Sequence, residues 1–169
     1  MNDKRIIIDV AQQTLNCLEL GQVVRHYPVS TAINGLGEMN GSECTPRGLH
    51  RIHSIIGLDA LPNSVFVGRV WTGEIYSLEL ARQQPERDWI LTRILQLDGL
   101  EVAVNKAGSV DSLNRYIYIH GVPDNTTMGV PGSHGCIRML QTNIIELAVW
   151  VHVDMQIEIT TVDWSKNDT

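Results

Sequence analysis

The sequence has no long hydrophobic run, no basic segment and no even set of cysteines. A membrane-spanning helix needs about 20 predominantly apolar residues, and no stretch of the 169-residue chain approaches that length. The net charge is −6, from 13 Lys and Arg against 19 Asp and Glu, whereas a nucleic-acid-binding protein normally presents a basic face. The sequence therefore indicates neither a membrane-spanning nor a nucleic-acid-binding protein.

Cysteine is also scarce. Only Cys17, Cys44 and Cys136 are present, and no CxxC pair occurs. An odd number of cysteines cannot form a complete set of disulfides, so we expect free thiols in a reducing compartment. The N-terminal residues MNDKRIIIDV lack a secretory signal, because Asp9 interrupts the apolar run. We therefore expect a cytoplasmic protein.

The composition that remains is that of an ordinary globular protein. Hydrophobic residues make up 43% and charged residues 19% of the chain, and its length is sufficient to bury a core. No internal repeat and no Pro/Gly/Ser linker divides it. We therefore expect a single domain over residues 1–169, with a core at about 5–160.

Short runs of β-branched residues between polar breaks predict a fold that is mainly β, with one or two helices. The expected strands are 5–10, 14–20 and 22–30, spaced as an antiparallel meander, and 49–57, 115–121 and 155–160. A hairpin is expected at 64–76 with Thr72 and Gly73 near its turn, and the Gly-rich segment 32–48 predicts a long loop. The pattern of 87–99 fits helix and strand equally.

One helix has a clear signature. Asn143 is a favourable N-cap, and Glu146 stands three residues later, where a capping-box acid belongs. The apolar stripe that follows has the spacing i, i+3, i+4, i+7. Its members are Ile144, Leu147, Ala148 and Val151.

The chemistry is concentrated in residues 118–139, YIHGVPDNTTMGVPGSHGCIRM. A cysteine attacks as thiolate, so the pKa of Cys136 must be lowered by a nearby histidine cation or by backbone N–H groups. Gly132, Ser133 and Gly135 permit a tight loop with positive φ. Such a loop can aim successive N–H groups at one point, as an oxyanion hole does.

The non-catalytic alternative for Cys136 is a buried structural thiol, which the polar, Gly-rich sequence around it disfavours. For His120 the alternative is a strand-end histidine bonded to backbone, and the residues alone leave both readings open. A zinc site can be sketched from Cys44, His50 and His53. However, residues three apart on a strand face opposite sides, so chelation by 50 and 53 needs a bulge.

At these residues the sequence resembles the L,D-transpeptidase catalytic domain, or YkuD domain. The resemblance rests on IHG at 119–121 and GVPGSHGCIRM at 129–139, with VSTA at 29–32 and TPRG at 45–48. In VSTA, alanine replaces the glycine of the family pattern. TRILQLDG at 92–99 and NRYIYIHG at 114–121 resemble the smaller members that act in cell-wall recycling. The match covers most of residues 5–160.

The resemblance implies a fold and roles. The fold is an L,D-transpeptidase-type β-sandwich or barrel. Cys136 is expected as nucleophile and His120 as base, with the Gly121 carbonyl orienting the imidazole. His134 is expected to line the site, and the N–H groups of His134, Gly135 and Cys136 to stabilise the oxyanion.

Further residues are candidates for shaping the loop or binding the substrate. Ser133 is expected to fix the loop by hydrogen bonding. Arg138 is expected to hold the substrate or the loop. Arg115 and Arg93 are candidates for binding substrate carboxylates, with a surface or strand-pairing arginine as the alternative for both. Trp71, in the expected hairpin, is kept as a possible substrate contact. The remaining tryptophans, Trp89, Trp150 and Trp164, are expected to pack structurally.

The implied substrate is a muropeptide or peptidoglycan tetrapeptide stem, cleaved between an L-centred diamino acid and terminal D-alanine through a thioester. With the expected cytoplasmic location, this predicts an L,D-carboxypeptidase of muropeptide recycling that uses no metal or cofactor and has no evident protein partner. One alternative is an L,D-transpeptidase that passes the acyl group to an amine. Another is a non-catalytic peptide-binding module, in which Cys136 would be alkylated as slowly as Cys17 and Cys44.

Overall fold

A computed structural model describes residues 3–161, which form a curled ten-stranded sheet and two α-helices. The strands are β1 (Lys4–Asp9), β2 (Thr14–Glu19), β3 (Gln22–Pro28), β4 (Gly48–Ile56), β5 (Ser64–Val67), β6 (Val70–Ile75), β7 (Ile90–Gly99), β8 (Tyr118–Val122), β9 (Ile137–Leu140) and β10 (Gln156–Thr160). The helices are α1 (Leu78–Gln83) and α2 (Gln141–Trp150). The prediction of a mainly β fold with one or two helices is confirmed.

The strand order is β3-β2-β1-β10-β4-β7-β5-β6, with β8 pairing β7 and β9. The predicted meander of β1, β2 and β3 is confirmed. The ambiguous segment 87–99 contains β7, which pairs with β4, β5 and β8. All of β7 except its first residue is buried. A strand covered on both faces loses the apolar–polar alternation that identifies strands in sequence.

Helix α2 covers the sheet beside β7, β8 and β9. Its predicted stripe is confirmed, because Ile144, Leu147 and Ala148 are all at most 2% exposed. The predicted start is wrong. The helix begins at Gln141, and Asn143 lies inside its first turn.

The early start has a tertiary cause. The Gln141 side chain accepts the Asn63 N–H at 2.7 Å and also contacts the Thr92 hydroxyl, which ties the first helical residue to β7 and its neighbouring loop. Glu146 does not complete a capping box and instead pairs with Arg25 of β3 at 2.7 Å. No helix in the range 3–161 is long and apolar enough to cross a membrane.

The hairpin at 64–76 is confirmed, but its turn is not at Thr72 and Gly73. Gly68 and Arg69 make the turn with φ of 56° and 67°, as a two-residue type I′ hairpin requires. Strand β8 begins at Tyr118 rather than 115 because the chain turns at Tyr116, where φ is 56°. Trp164 lies outside the described residues.

Candidate active site

A cavity of about 230 Å³ lies where β8 and β9 run side by side. The two strands are parallel, with Ile119 opposite Ile137 and His120 opposite Arg138. Cys136 immediately precedes β9, so its side chain reaches the cavity that His120 also lines. Asn40, Gly41 and Glu43 of the predicted long loop contribute another part of the wall.

The Cys136 thiol contacts the backbone that leads into β8. Its Sγ accepts the Tyr118 N–H at 3.4 Å and donates to the Tyr116 carbonyl at 3.4 Å. Burial raises the pKa of Cys136 to about 12. The Tyr118 N–H and the charge of Arg115 lower this pKa, and the charge of Asp88 raises it further. Because burial outweighs the stabilising contacts, the thiol is protonated near neutral pH.

The His120 imidazole is almost fully buried, with 1% of its surface exposed. Its Nδ1 lies 2.8 Å from the Gly121 carbonyl oxygen. A carbonyl can only accept, so Nδ1 carries the proton and Nε2 is the basic nitrogen. Burial lowers the pKa of His120, opposed by the Gly121 hydrogen bond and Asp88, while Arg138 lowers it further. The imidazole is therefore neutral near pH 7.

The cavity thus holds a neutral thiol and a neutral imidazole. The sequence predicts a lowered pKa for Cys136, whereas the structure raises it. Desolvation destabilises the thiolate more than the Tyr118 N–H and the charge of Arg115 stabilise it. This pair suits general-base activation, in which the imidazole accepts the thiol proton during attack.

The loop before β9 is closed by Ser133. Its hydroxyl donates to the Cys136 carbonyl at 2.6 Å and accepts the Gly135 N–H at 3.2 Å. The Gly135 N–H, expected to face an oxyanion, is therefore engaged within the loop. The N–H groups of His134 and Cys136 donate to no acceptor within residues 3–161, so of the three expected oxyanion donors these two remain available.

The two loop glycines serve different needs. Gly135 has a φ of 135°, and a Cβ there would lie 3.3 Å from the Cys44 carbonyl oxygen. Gly132 does not have positive φ, contrary to prediction. Its missing side chain instead makes room for the Arg138 guanidinium, which an added Cβ would strike.

Two predicted arginines line the cavity. Arg138 Nη2 donates to Ser30 Oγ at 3.0 Å, its buried Nε has no partner, and no carboxylate within residues 3–161 forms an ion pair with it. Arg115 braces the long loop through the carbonyls of Gly37 at 3.2 Å and Cys44 at 2.7 Å.

Two other predicted residues do not line this cavity. Arg93 is 7% exposed and donates to the carbonyls of Ala60 at 2.9 Å and Thr92 at 2.7 Å. Trp71 lines a separate cavity of about 400 Å³ with Leu58 and Leu61.

The sketched zinc site does not form. The His50 ring nitrogens lie 3.0 Å from the Gly48 carbonyl oxygen and 2.8 Å from Ser112 Oγ. Both ring nitrogens are therefore engaged within the protein. In the described part of the chain, no three His, Cys, Asp or Glu side chains are grouped to hold a metal ion.

Sequence reasoning missed several residues around the site. Thr45 Oγ1 donates to the Gly135 carbonyl at 2.8 Å, and Ser30 accepts from Arg138. Both lie in the short TPRG and VSTA segments, which could have pointed to them. Asp88, which also lines the cavity, stands in no recognisable pattern.

Comparison with known proteins identifies the family. The sequence profile of the L,D-transpeptidase catalytic domain (YkuD) matches residues 3–159. The chain belongs to this family. None of the curated protein sequences compared with it is similar enough to count as a match.

Three solved structures share the fold of this family member, and two of them are named L,D-transpeptidases. An L,D-transpeptidase from Mycobacterium smegmatis is 18% identical with a TM-score of 0.54, and the match covers 94% of this chain and 59% of that one. Bd1075 from Bdellovibrio bacteriovorus is 18% identical with a TM-score of 0.59, over 99% and 52% of the two chains. L,D-transpeptidase 3 from Mycobacterium tuberculosis, in complex with a faropenem-derived adduct, is 14% identical with a TM-score of 0.57, over 94% and 60%. The present chain thus spans about half to three-fifths of the length of these proteins.

Proposed function

We propose that this protein is a cysteine-dependent enzyme acting on peptidoglycan tetrapeptide stems, with L,D-carboxypeptidase activity as its main reaction. The observation that carries the proposal is the pairing of Cys136 with His120 in one cavity. The Gly121 carbonyl holds Nδ1 of His120, which leaves Nε2 to accept a proton. Membership of the L,D-transpeptidase family supplies the substrate class.

The residues suit a two-step acyl transfer. His120 Nε2 takes the thiol proton as Cys136 Sγ attacks the carbonyl carbon of the diamino acid. The N–H groups of His134 and Cys136 stabilise the oxyanion. The carbon–nitrogen bond then breaks, D-alanine leaves with the proton from His120, and a thioester remains. Water, deprotonated by His120, hydrolyses the thioester to tripeptide and free thiol.

Arg138 is the proposed partner of a substrate carboxylate. It lines the cavity, has an unpartnered buried Nε and forms no ion pair within residues 3–161. A bound carboxylate would stabilise a guanidinium in these surroundings, because the ion pair offsets the cost of removing each charged group from water. Arg138→Ala is therefore expected to raise KM more than it lowers kcat. An unchanged KM would exclude this role.

The acceptor of the thioester distinguishes two activities. The resemblance of segments 92–99 and 114–121 to recycling members favours water, and hence a cytoplasmic carboxypeptidase that trims recycled muropeptides. The family's own description favours an amine acceptor, which gives a 3-3 cross-link or D-amino-acid exchange. Both reactions share the same acyl-enzyme.

One assay separates the activities. A muropeptide tetrapeptide is incubated with the protein, with and without a D-amino acid, and products are identified by mass. Tripeptide in both samples indicates a carboxypeptidase, and D-amino-acid exchange indicates a transpeptidase. Cys136→Ala should abolish either product, whereas Cys44→Ala, outside the cavity lining, should retain it. No product with the unaltered protein would refute the enzymatic proposal and favour a peptide-binding module.

A further inference from the structure

Asp88 contributes a carboxylate to the cavity lining. The reaction proposed above assigns this carboxylate no role. It is exposed, lies between α1 and β7, and lines the same cavity as Cys136, His120 and Arg138. It forms no ion pair and no hydrogen bond with any residue in the range 3–161.

The residues on either side of Asp88 hold it in place. Arg87 forms a two-pronged ion pair with Glu74, at 2.6 Å and 3.1 Å, and its guanidinium lies 4.6 Å from the centre of the Trp89 ring. The Trp89 ring in turn packs edge-on against Tyr76 at 5.1 Å. Arg87 and Trp89 are thus held together next to β6, and Asp88 between them lines the cavity.

The charge of Asp88 opposes activation of the nucleophile. It raises the pKa of Cys136, so it disfavours the thiolate. It also raises the pKa of His120 and of Arg138, which shows that its field reaches across the cavity. A cation bound to Asp88 would cancel this field at the sulfur. The arrangement therefore favours a substrate that brings its own positive charge.

The cavity presents charges of both signs. Arg138 and Arg115 offer guanidinium groups, while Asp88 and Glu43 offer carboxylates. Of the two acids, Asp88 is the one whose charge acts on Cys136 and His120. A ligand that carries a carboxylate and an ammonium group a few bonds apart matches this distribution.

We propose that Asp88 is a specificity-determining residue that binds an ammonium group of the peptide substrate. The identity of that substrate rests on the function proposed above. In that reaction a primary ammonium group has two sources, namely the second amino group of the diamino acid in the acyl donor and the amine acceptor. Binding of the donor's ammonium group would place a cation beside Cys136 before the thiol attacks. Binding of the acceptor's ammonium group would place one there before it gives a proton to His120 and attacks the thioester as the free amine.

The first test needs no turnover. Methanethiosulfonate reagents carrying a trimethylammonium or a sulfonate group are reacted with Cys136, and the modification rate is followed by mass spectrometry. The thiolate sulfur attacks the reagent, a disulfide forms and methanesulfinate leaves. Asp88→Asn should reduce the ratio of the cationic to the anionic labelling rate about tenfold. This factor corresponds to the low end of the free-energy range for hydrogen bonds to charged groups. The matched control Glu86→Gln removes an exposed acid two residues away that does not line the cavity, and should leave the ratio unchanged. An unchanged ratio in Asp88→Asn would refute the proposal.

The second test identifies the source of the ammonium group. Tetrapeptides with a free or an acetylated side-chain amine are hydrolysed by the unaltered protein and by Asp88→Asn. If the donor supplies the cation, acetylation lowers kcat/KM about tenfold for the unaltered protein and has no effect on the variant. If the acceptor supplies it, both stems are hydrolysed equally, and D-amino-acid exchange falls in Asp88→Asn. Equal hydrolysis and unchanged exchange would overturn the proposal. If the unaltered protein cleaves neither stem, the proposed function is wrong, and the labelling ratio alone decides the role of Asp88.

Discussion

The protonation state of Cys136 leads to a quantitative prediction for its reactivity. Burial raises the pKa of this thiol from 9.0 to about 12. With a pKa of about 12 instead of 9.0, the thiolate population at neutral pH is about 1000-fold smaller. Iodoacetamide reacts with the thiolate. Cys136 should therefore be alkylated about 1000-fold more slowly at pH 7 than an unperturbed thiol, and the rate should rise about tenfold per pH unit until roughly pH 11. Slow alkylation of Cys136 at neutral pH therefore does not indicate a non-catalytic module, contrary to the expectation from the sequence.

The assay follows alkylation by mass spectrometry in a Cys44→Ala background, which removes the other partly exposed thiol. His120→Ala provides a second measurement. Because the imidazole is neutral and does not stabilise a resting thiolate, this variant should keep the slope of the alkylation profile. It should nevertheless lose nearly all turnover, since the base that accepts the thiol proton during attack is gone.

The opposite result is clearly distinguishable. A resting thiolate–imidazolium pair would give a plateau in the alkylation rate across neutral pH, and His120→Ala would abolish that plateau. Such a profile would show that desolvation does not dominate at Cys136. It would also remove the reason for general-base activation in the proposed mechanism.

Three further substitutions test the loop and the core. Ser133→Ala removes the bonds to the Cys136 carbonyl and the Gly135 N–H, and should lower the free energy of unfolding by about 1–3 kcal/mol and reduce kcat. Urea denaturation and turnover measure the two effects, and an unchanged kcat would contradict the loop's role. Gly135→Ala forces a φ of 135° on a residue with a Cβ, so activity should fall sharply while the far-UV circular dichroism spectrum is retained. Leu147→Ala, at a fully buried position, should cost about 2–5 kcal/mol in urea denaturation. Its control Val149→Ala, 79% exposed, should cost less than about 0.5 kcal/mol.

The strands and the helix stripe were predictable where one face of an element is buried and the other is not. The stripe of α2 is an example, because its residues alternate with exposed ones at the helical period. Strand β7 was not predictable for the opposite reason, since nearly all of it is buried and its pattern has no period. The start of α2 depends on contacts of Gln141 with Asn63 and Thr92, which are distant in sequence.

The candidate nucleophile and base were identified by residue type and local pattern. Cys136 and His120 lie within a short segment whose glycine and histidine content indicates a reactive loop, and the family resemblance assigned their expected roles. Their common location follows from the parallel pairing of β8 and β9. Arg93 shows the weakness of this reasoning, because an arginine in a strand can equally donate to nearby carbonyls, as it does to Ala60.

The sequence by itself determined the family, the mainly β class and the two residues proposed for proton transfer and attack, because each depends on residue identity and local spacing. Only the tertiary structure decided that Cys136 is a neutral thiol, that the Gly135 N–H is engaged by Ser133, and that Asp88 faces the cavity. Desolvation, hydrogen-bond competition and charge–charge distance all depend on which distant segments pack together, and no local pattern encodes them.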